Sequence, residues 1–229
     1  ISESGYGQPA NDLMDQRDQL INDLNKLIKV STSTNADGSY NVFIGNGQQL
    51  VVGSNAMEMT ATASSADPSK IVVGLKTAGG TQEYPESMII GGELGGLVKF
   101  RSDSLEVAAN EMGRVAATLS LTFNAQHALG QDLLGKALAD SGFVGKFFTI
   151  PDPKIIANSK NTGAGTLAAE FEDPTAPSAP SFSGNFSTKL TNSSYQMQFG
   201  AAGAYTITRL SDNQTVSSGT GPGVATFDG

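Results

Sequence analysis

A chain of 229 residues is long enough to bury a sizeable core in one or two domains, and 22 acidic against 14 basic side chains leave it with a formal charge of -8. That charge repels phosphate backbones and anionic lipid surfaces at long range, which argues against nucleic acid as a partner. Cysteine and tryptophan are absent and His127 is the single histidine, so disulfides, thiolate nucleophiles, cysteine-bound zinc and any two-histidine metal site are excluded.

The opening, ISESGYGQPA, has neither the basic nor the apolar region of a secretion signal. No run along the chain approaches the roughly 18 apolar residues of a membrane span, so membrane insertion is not expected. The first residue is Ile rather than Met and the last strand pattern breaks off at ATFDG, which reads as a fragment of a longer chain.

The first element, NDLMDQRDQLINDLNKL (11–27), has helical spacing: Leu13, Leu20, Ile21, Leu24, Leu27 and Ile28 fall on one stripe. Asp12, Asp15 and Asp18 lie off that stripe. Three residues apart, they advance about 300° over six residues and spread around the helix instead of converging on a cation, so no metal site is expected from them. Next, Asp37-Gly38 and Asn46-Gly47 in DGSYNVFIGNGQQLVVG are hairpin signals, because both dipeptides tolerate the positive φ of tight turns. Three strands follow from them. Further strands are expected at 56–63, 71–75 and 83–90, with Asp67-Pro68 breaking between the first two. The whole forms a small β element inserted between helices.

The second helix begins near GGELGG. Leu94, Val98, Arg101, Leu105, Ala108, Met112, Val115 and Leu119 alternate spacings of four and three, a coiled-coil-like seam with seven of its eight positions apolar. Leu13, Arg17, Leu20, Leu24 and Leu27 repeat the spacing in the first helix, again with one arginine. The pattern predicts two helices packed side by side at about 20°, the longer running from Leu94 to Gln126 for about 50 Å.

Residues 1–140 carry 9 basic and 16 acidic side chains, residues 141–229 only 5 and 6, and the texture changes to Gly, Ser, Thr, Asn and Pro with short alternating runs. A domain boundary is expected between Asp132 and Gly142, giving a helical domain with inserted hairpins over 1–138 and a mostly β domain over 139–229. The fold class is α+β. In the second part, Phe143 to Ile150 reads as an entry strand stopped by Pro151 and Pro153. EDPTAPSAPSFSG (172–184) reads as a proline-rich connector that cannot be a helix. YQMQF and YTITRL form a hairpin, SDNQTVSSGTGPG a loop-rich continuation, and VATFDG the start of another strand.

Three stretches invite chemistry. GGELGG precedes a helix N-terminus, where phosphates can bind. It lacks the spacing and lysine of a P-loop, and Glu93 puts a like charge where phosphate would sit. His127 ends the long helix, a position suited to capping carbonyls, and no nucleophile or acid accompanies it at diagnostic spacing. Glu170, Glu172 and Asp173 are neighbours in sequence beside a proline connector, which does not make an acid/base pair. No catalytic, metal or cofactor-binding residues are expected.

NDLMDQRDQLINDLNKL, DGSYNVFIGNGQQLVVG, GGELGGLVKFR and EMGRVAATLSLTFNAQHALGQDLLG, in this order, closely resemble the core of the bacterial flagellar hook-associated protein 1 family, FlgK. FFTIPDPKIIANSKNTG, EDPTA and SYQMQF with YTITRLSD resemble the β domain that follows in that family. The resemblance implies a non-catalytic structural component of the flagellum, joining hook to filament, outside the cell after export by the flagellar type III apparatus. Implied partners are the hook protein, the neighbouring junction protein on the filament side and copies of itself in a ring. Family members also carry terminal helical segments, the C-terminal one bound by an export chaperone; neither is expected in this chain. The rival reading is an extracellular binding module, an adhesin or lectin-like domain using the Ser/Thr/Asn-rich β surface. A surface-polymer hydrolase is the third.

Overall fold

The computed structural model describes residues 11–173 and 188–227. These divide into two compact units, one of residues 11–104 with 156–161 and one of 105–155 with 162–173 and 188–227. The fold is mixed α+β, helices with several antiparallel sheets.

In the first unit, helix α1 (Asn11–Leu27) leads into a four-stranded antiparallel sheet of β1 (Val30–Thr34), β2 (Tyr40–Ile44), β3 (Gln48–Val52) and β4 (Asn55–Ala56), in that order. The two hairpin signals sit at its first two turns. Gly38 and Gly47 take φ of 79° and 103°, values that an L side chain would resist. A bulge between Val42 and Phe43 shifts the register, so that Ile44 faces Gln48 across the second turn. A second sheet holds β5 (Met59–Ala63), β6 (Ile71–Thr77) and β7 (Gly80–Glu83). The strand expected at 83–90 is not there: β7 precedes it and ends at Glu83, and a short 3-10 turn at Glu86–Met88 follows. The strand expected over 56–63 is divided between two sheets: the Met57 amide still donates to the Leu50 carbonyl on β3, whereas Met59 pairs with Leu75 on β6.

The core of this unit is Ile28, Ile44, Leu50, Leu75, Tyr84 and Ile89, with Ile44 only 1% exposed. Leu24 of α1 packs against it, as do Leu94 and Val98 of helix α2 (Gly92–Phe100). The glycines of GGELGG make the close approach of these helices possible. Gly92 has φ of 64°, and a Cβ there would lie 2.5 Å from the Ile28 nitrogen.

The second helix is not the uninterrupted α-helix that the spacing predicts. A π turn, Arg101–Leu105, separates α2 from α3 (Glu106–Ala128). Such a turn adds one residue to the helical repeat and displaces every later position around the axis. Arg101 is tied back to the first unit, donating to the Ile71 carbonyl at 2.8 Å and pairing with Glu86.

In the second unit, the buried side of α3 is Ala117, Leu121, Asn124, Ala125 and Ala128. The entry strand expected at 143–150 is absent. The amides of Phe147 and Phe148 both donate to Asn124 Oδ1 at 2.8 Å, and Asn124 Nδ2 donates to the Phe148 carbonyl at 2.8 Å. One side chain thus takes the backbone groups that a neighbouring strand would have used. The hairpin of YQMQF and YTITRL is present as β8 (Tyr195–Phe199) and β9 (Ala204–Arg209). The segment read as loop contributes a third strand, β10 (Gln214–Thr220), paired to β9 with a bulge between Thr215 and Ser217. Its serines and glycine hide a strand that exists because β9 offers a ladder. Val224 to Phe227 forms no strand, although Phe227 packs its ring 5.0 Å from that of Tyr195. Most of the proline-rich connector lies outside the described residues.

Candidate functional site

The residues first weighed for chemistry do not come together. Asp12, Asp15 and Asp18 are all exposed on α1, and Asp18 pairs with Arg17 at 2.8 Å. Glu93 is exposed in the first turn of α2. His127 is exposed too; its Nδ1 lies 3.1 Å from the Gly145 carbonyl and its ring stacks near Phe143, so it meets a neighbouring segment instead of its own helix carbonyls. Asp173 pairs with Lys146 at 2.7 Å, while Glu170 and Glu172 are exposed. Among the described residues no group of three or more His, Asp or Glu side chains is arranged to hold a metal ion. No helix among them is long and apolar enough to cross a membrane.

What the chain does present is apolar helix surface. On α1, Leu13, Leu20 and Leu27 recur every seven residues and are exposed, Leu20 to 69%. On α3, Met112, Val115 and Leu119 are exposed to 75%, 54% and 63%. These are the seam positions read from the sequence. Within the first unit Leu24 of α1 and Leu94 and Val98 of α2 pack against the one core, while Leu105 and the three α3 residues are exposed. Heptad-spaced apolar stripes of this kind are what a further helix packs against.

The two seam arginines explain how α1 and α2 are fixed. Arg17 sets its guanidinium 3.6 Å from the centre of the Tyr40 ring on β2, and Arg101 reaches β6 and Glu86. Each breaks an apolar stripe where its helix turns toward the β element. A second device is Glu83 at the end of β7. It accepts the Ser65 amide at 2.9 Å, and Lys160 approaches it at 3.4 Å, while the Ser159 amide donates to the Ser65 carbonyl at 2.8 Å. Hydrogen bonds from the Ser65 side chain, then its backbone, and the charge of Lys160 hold the Glu83 carboxyl below its ordinary range. Glu83 therefore organises the corner on which the returning segment 156–161 rests.

Sequence reasoning missed Asn124, Tyr40 and Glu83 as organising residues. Asn124 carries a signal, a polar residue at a buried helix position; the other two carry none without their partners.

A family model described as the flagellar hook-associated protein FlgK helical domain matches residues 1–142. Flagellar hook-associated protein 1 of Salmonella typhimurium is 37% identical over 213 residues, 92% of this chain and 35% of the relative. The protein of the same description in Escherichia coli is 36% identical over 212 residues, with the same two shares of 92% and 35%. Among solved structures, the flagellar hook junction protein FlgK from Burkholderia pseudomallei aligns with a TM-score of 0.74 at 33% identity, covering 93% of this chain and 36% of that one. The chain thus spans about a third of the length of the relatives it matches. With the family model covering 1–142 and full-width similarity at this identity, the chain belongs to the FlgK family of flagellar hook-associated proteins.

Proposed function

We propose that the chain is part of a structural, non-catalytic component of the bacterial flagellum that connects hook to filament, and that its exposed helix stripes are its assembly surfaces. The observation that carries this reading is the apolar heptad surface of α1 and α3 in a member of the FlgK family. Leu13, Leu20 and Leu27 on one helix and Met112, Val115 and Leu119 on the other offer long, shallow contacts. Many modest contacts of this kind are suited to sharing bending and torsional load. In the assembled organelle the partners are the hook protein, the next junction protein toward the filament and further copies in a ring. Terminal helical segments of the full-length protein supply the helices that lie along the stripes, and an export chaperone binds the C-terminal one. The location is outside the cell, reached through the flagellar type III apparatus. A division of roles at about residue 138, helical domain before and mostly β domain after, is supported by the end of the family match at residue 142. The reading as an adhesin or lectin-like module gains no support from family membership.

The test uses a full-length protein carrying Met112→Asp and Leu119→Asp, expressed in a strain lacking its own junction protein. Cells are expected to export the folded variant, build hooks and shed filament protein into the medium. Normal swimming would overturn the assignment of the stripe.

A further inference from the structure

Two turns of the four-stranded sheet carry residue pairs prone to ring closure, and the structure treats them differently. At the first, Asp37 is held: its carboxylate accepts the Ser39 amide at 2.9 Å and the Ser39 hydroxyl at 2.6 Å. Those bonds, the hydroxyl's first, lower its pKa and keep it ionised, and a carboxylate anion is a poor electrophile. At the second turn, Asn46 is exposed and its carboxamide has no hydrogen-bond partner among the described residues. It is followed by Gly47, the chain's one Asn-Gly pair.

We propose that Asn46 is a site of spontaneous covalent modification, with water as the only co-reactant. The Gly47 amide nitrogen attacks Cγ of Asn46, its proton passes through solvent to the departing nitrogen, and ammonia leaves as a five-membered succinimide closes. Water then adds across one of the two ring C–N bonds, giving aspartate or, with the chain rerouted through the side chain, isoaspartate. Three features of the turn favour closure. Gly47 has no Cβ to obstruct the ring, and a Cβ built there would meet nothing within 4 Å. Its backbone, at φ of 103°, has the rotational freedom of glycine. Its amide is restrained by one bond to the Ile44 carbonyl at 3.1 Å, toward the long end of the normal range.

The other asparagines lack this combination. Asn35 and Asn41 bond each other through their carboxamides, Asn25 accepts the Val30 amide, Asn158 accepts the Lys160 amide and Asn124 is buried. Asn192 is exposed, yet it bonds Glu111 and is followed by serine, whose side chain hinders the attack.

The consequence falls on the core. Ile44 pairs with Gln48 directly across this turn, and the intervening Gly45 is so tightly seated that a Cβ on it would lie 2.0 Å from the Met88 carbonyl oxygen. An isoaspartyl link adds a carbon to the backbone of that turn, so the strain passes to the Ile44 register. Aspartate leaves the backbone intact and adds one negative charge. Modification is thus a chemical clock that loosens the β element of the first unit.

The experiment incubates the intact chain at mildly alkaline pH and follows each asparagine by peptide mapping, with an isoaspartyl methyltransferase assay for the rerouted product. Asn46 is expected to convert first, and the aged protein to melt below the fresh one. The Asn46→Ser variant should melt like the fresh protein and stay unchanged on ageing, and Asn46→Asp should melt like the fresh protein, which separates charge from backbone insertion. Conversion of Asn158, Asn161 or Asn192 ahead of Asn46, or isomerisation of Asp37 at a matching rate, would overturn the proposal. So would an Asn46→Ser variant that loses melting temperature on ageing as fast as the parent.

Discussion

The guanidinium of Arg17 lies 3.6 Å from the centre of the Tyr40 ring, so a residue on an otherwise apolar helix stripe is turned onto the β sheet. The contact is partly sheltered, with the Arg17 side chain 22% exposed. A cation over an aromatic face contributes about 0.5 to 2 kcal/mol, more as water is excluded. Arg17→Ala and Tyr40→Leu are therefore each expected to destabilise, with a coupling of about 1 kcal/mol in a double-mutant cycle from urea denaturation. Simple additivity would show that the two side chains act independently.

Leu24 and Met112 occupy equivalent positions in the sequence pattern but different surroundings. Leu24→Ala opens a gap against the core of the first unit and is expected to cost about 2 to 5 kcal/mol. Met112 is 75% exposed, so Met112→Ala should change the melting of this chain by no more than about 0.5 kcal/mol. Equal losses in calorimetry would show that Met112 is packed in this chain and not open to solvent.

Asn124 makes three hydrogen bonds to the backbone of Phe147 and Phe148 while only 3% exposed. Asn124→Ala removes all of them and leaves buried groups short of partners, at a cost of about 1 to 3 kcal/mol for each group that water does not reach. The amides of Phe147 and Phe148 should lose hydrogen-exchange protection while those of Tyr205 and Ile207 keep theirs. Loss of protection throughout both segments would mean global unfolding instead of release of the aromatic segment.

Glu83 gives the chain an acid-sensitive corner. Its pKa is lowered on folding, so its contribution is present above the unfolded carboxyl pKa and is lost as pH falls through the lower folded value. Segment 156–161 should therefore loosen on acidification. Because Lys160 is a tryptic site, Glu83→Gln is expected to speed cleavage after Lys160 at neutral pH, where trypsin is active, without shifting cleavage after Lys26. Identical digestion of variant and parent would remove Glu83 from the role of organiser.

Local patterns in the sequence determined a good part of this protein. The 3.6-residue periodicity of 11–27 specifies α1, and glycine at positive φ marks the first two hairpin turns, because helix faces and tight turns depend on neighbours a few residues away. The alternation in YQMQF and YTITRL likewise specifies β8 and β9. The four quoted segments, taken in order, were enough to reach the family. What a residue meets across the chain was decided elsewhere. Phe143 to Ile150 has strand composition, yet Asn124, 23 and 24 residues away from its two amide donors, captures the backbone first. The heptad spacing continues through Leu105 and Met112 without a break in the letters, but the π turn at Arg101–Leu105 changes the phase of the helix. Periodicity records which side chains share a face. Only tertiary packing settles which faces are covered, and in this chain it leaves Leu20, Met112 and Leu119 open to solvent.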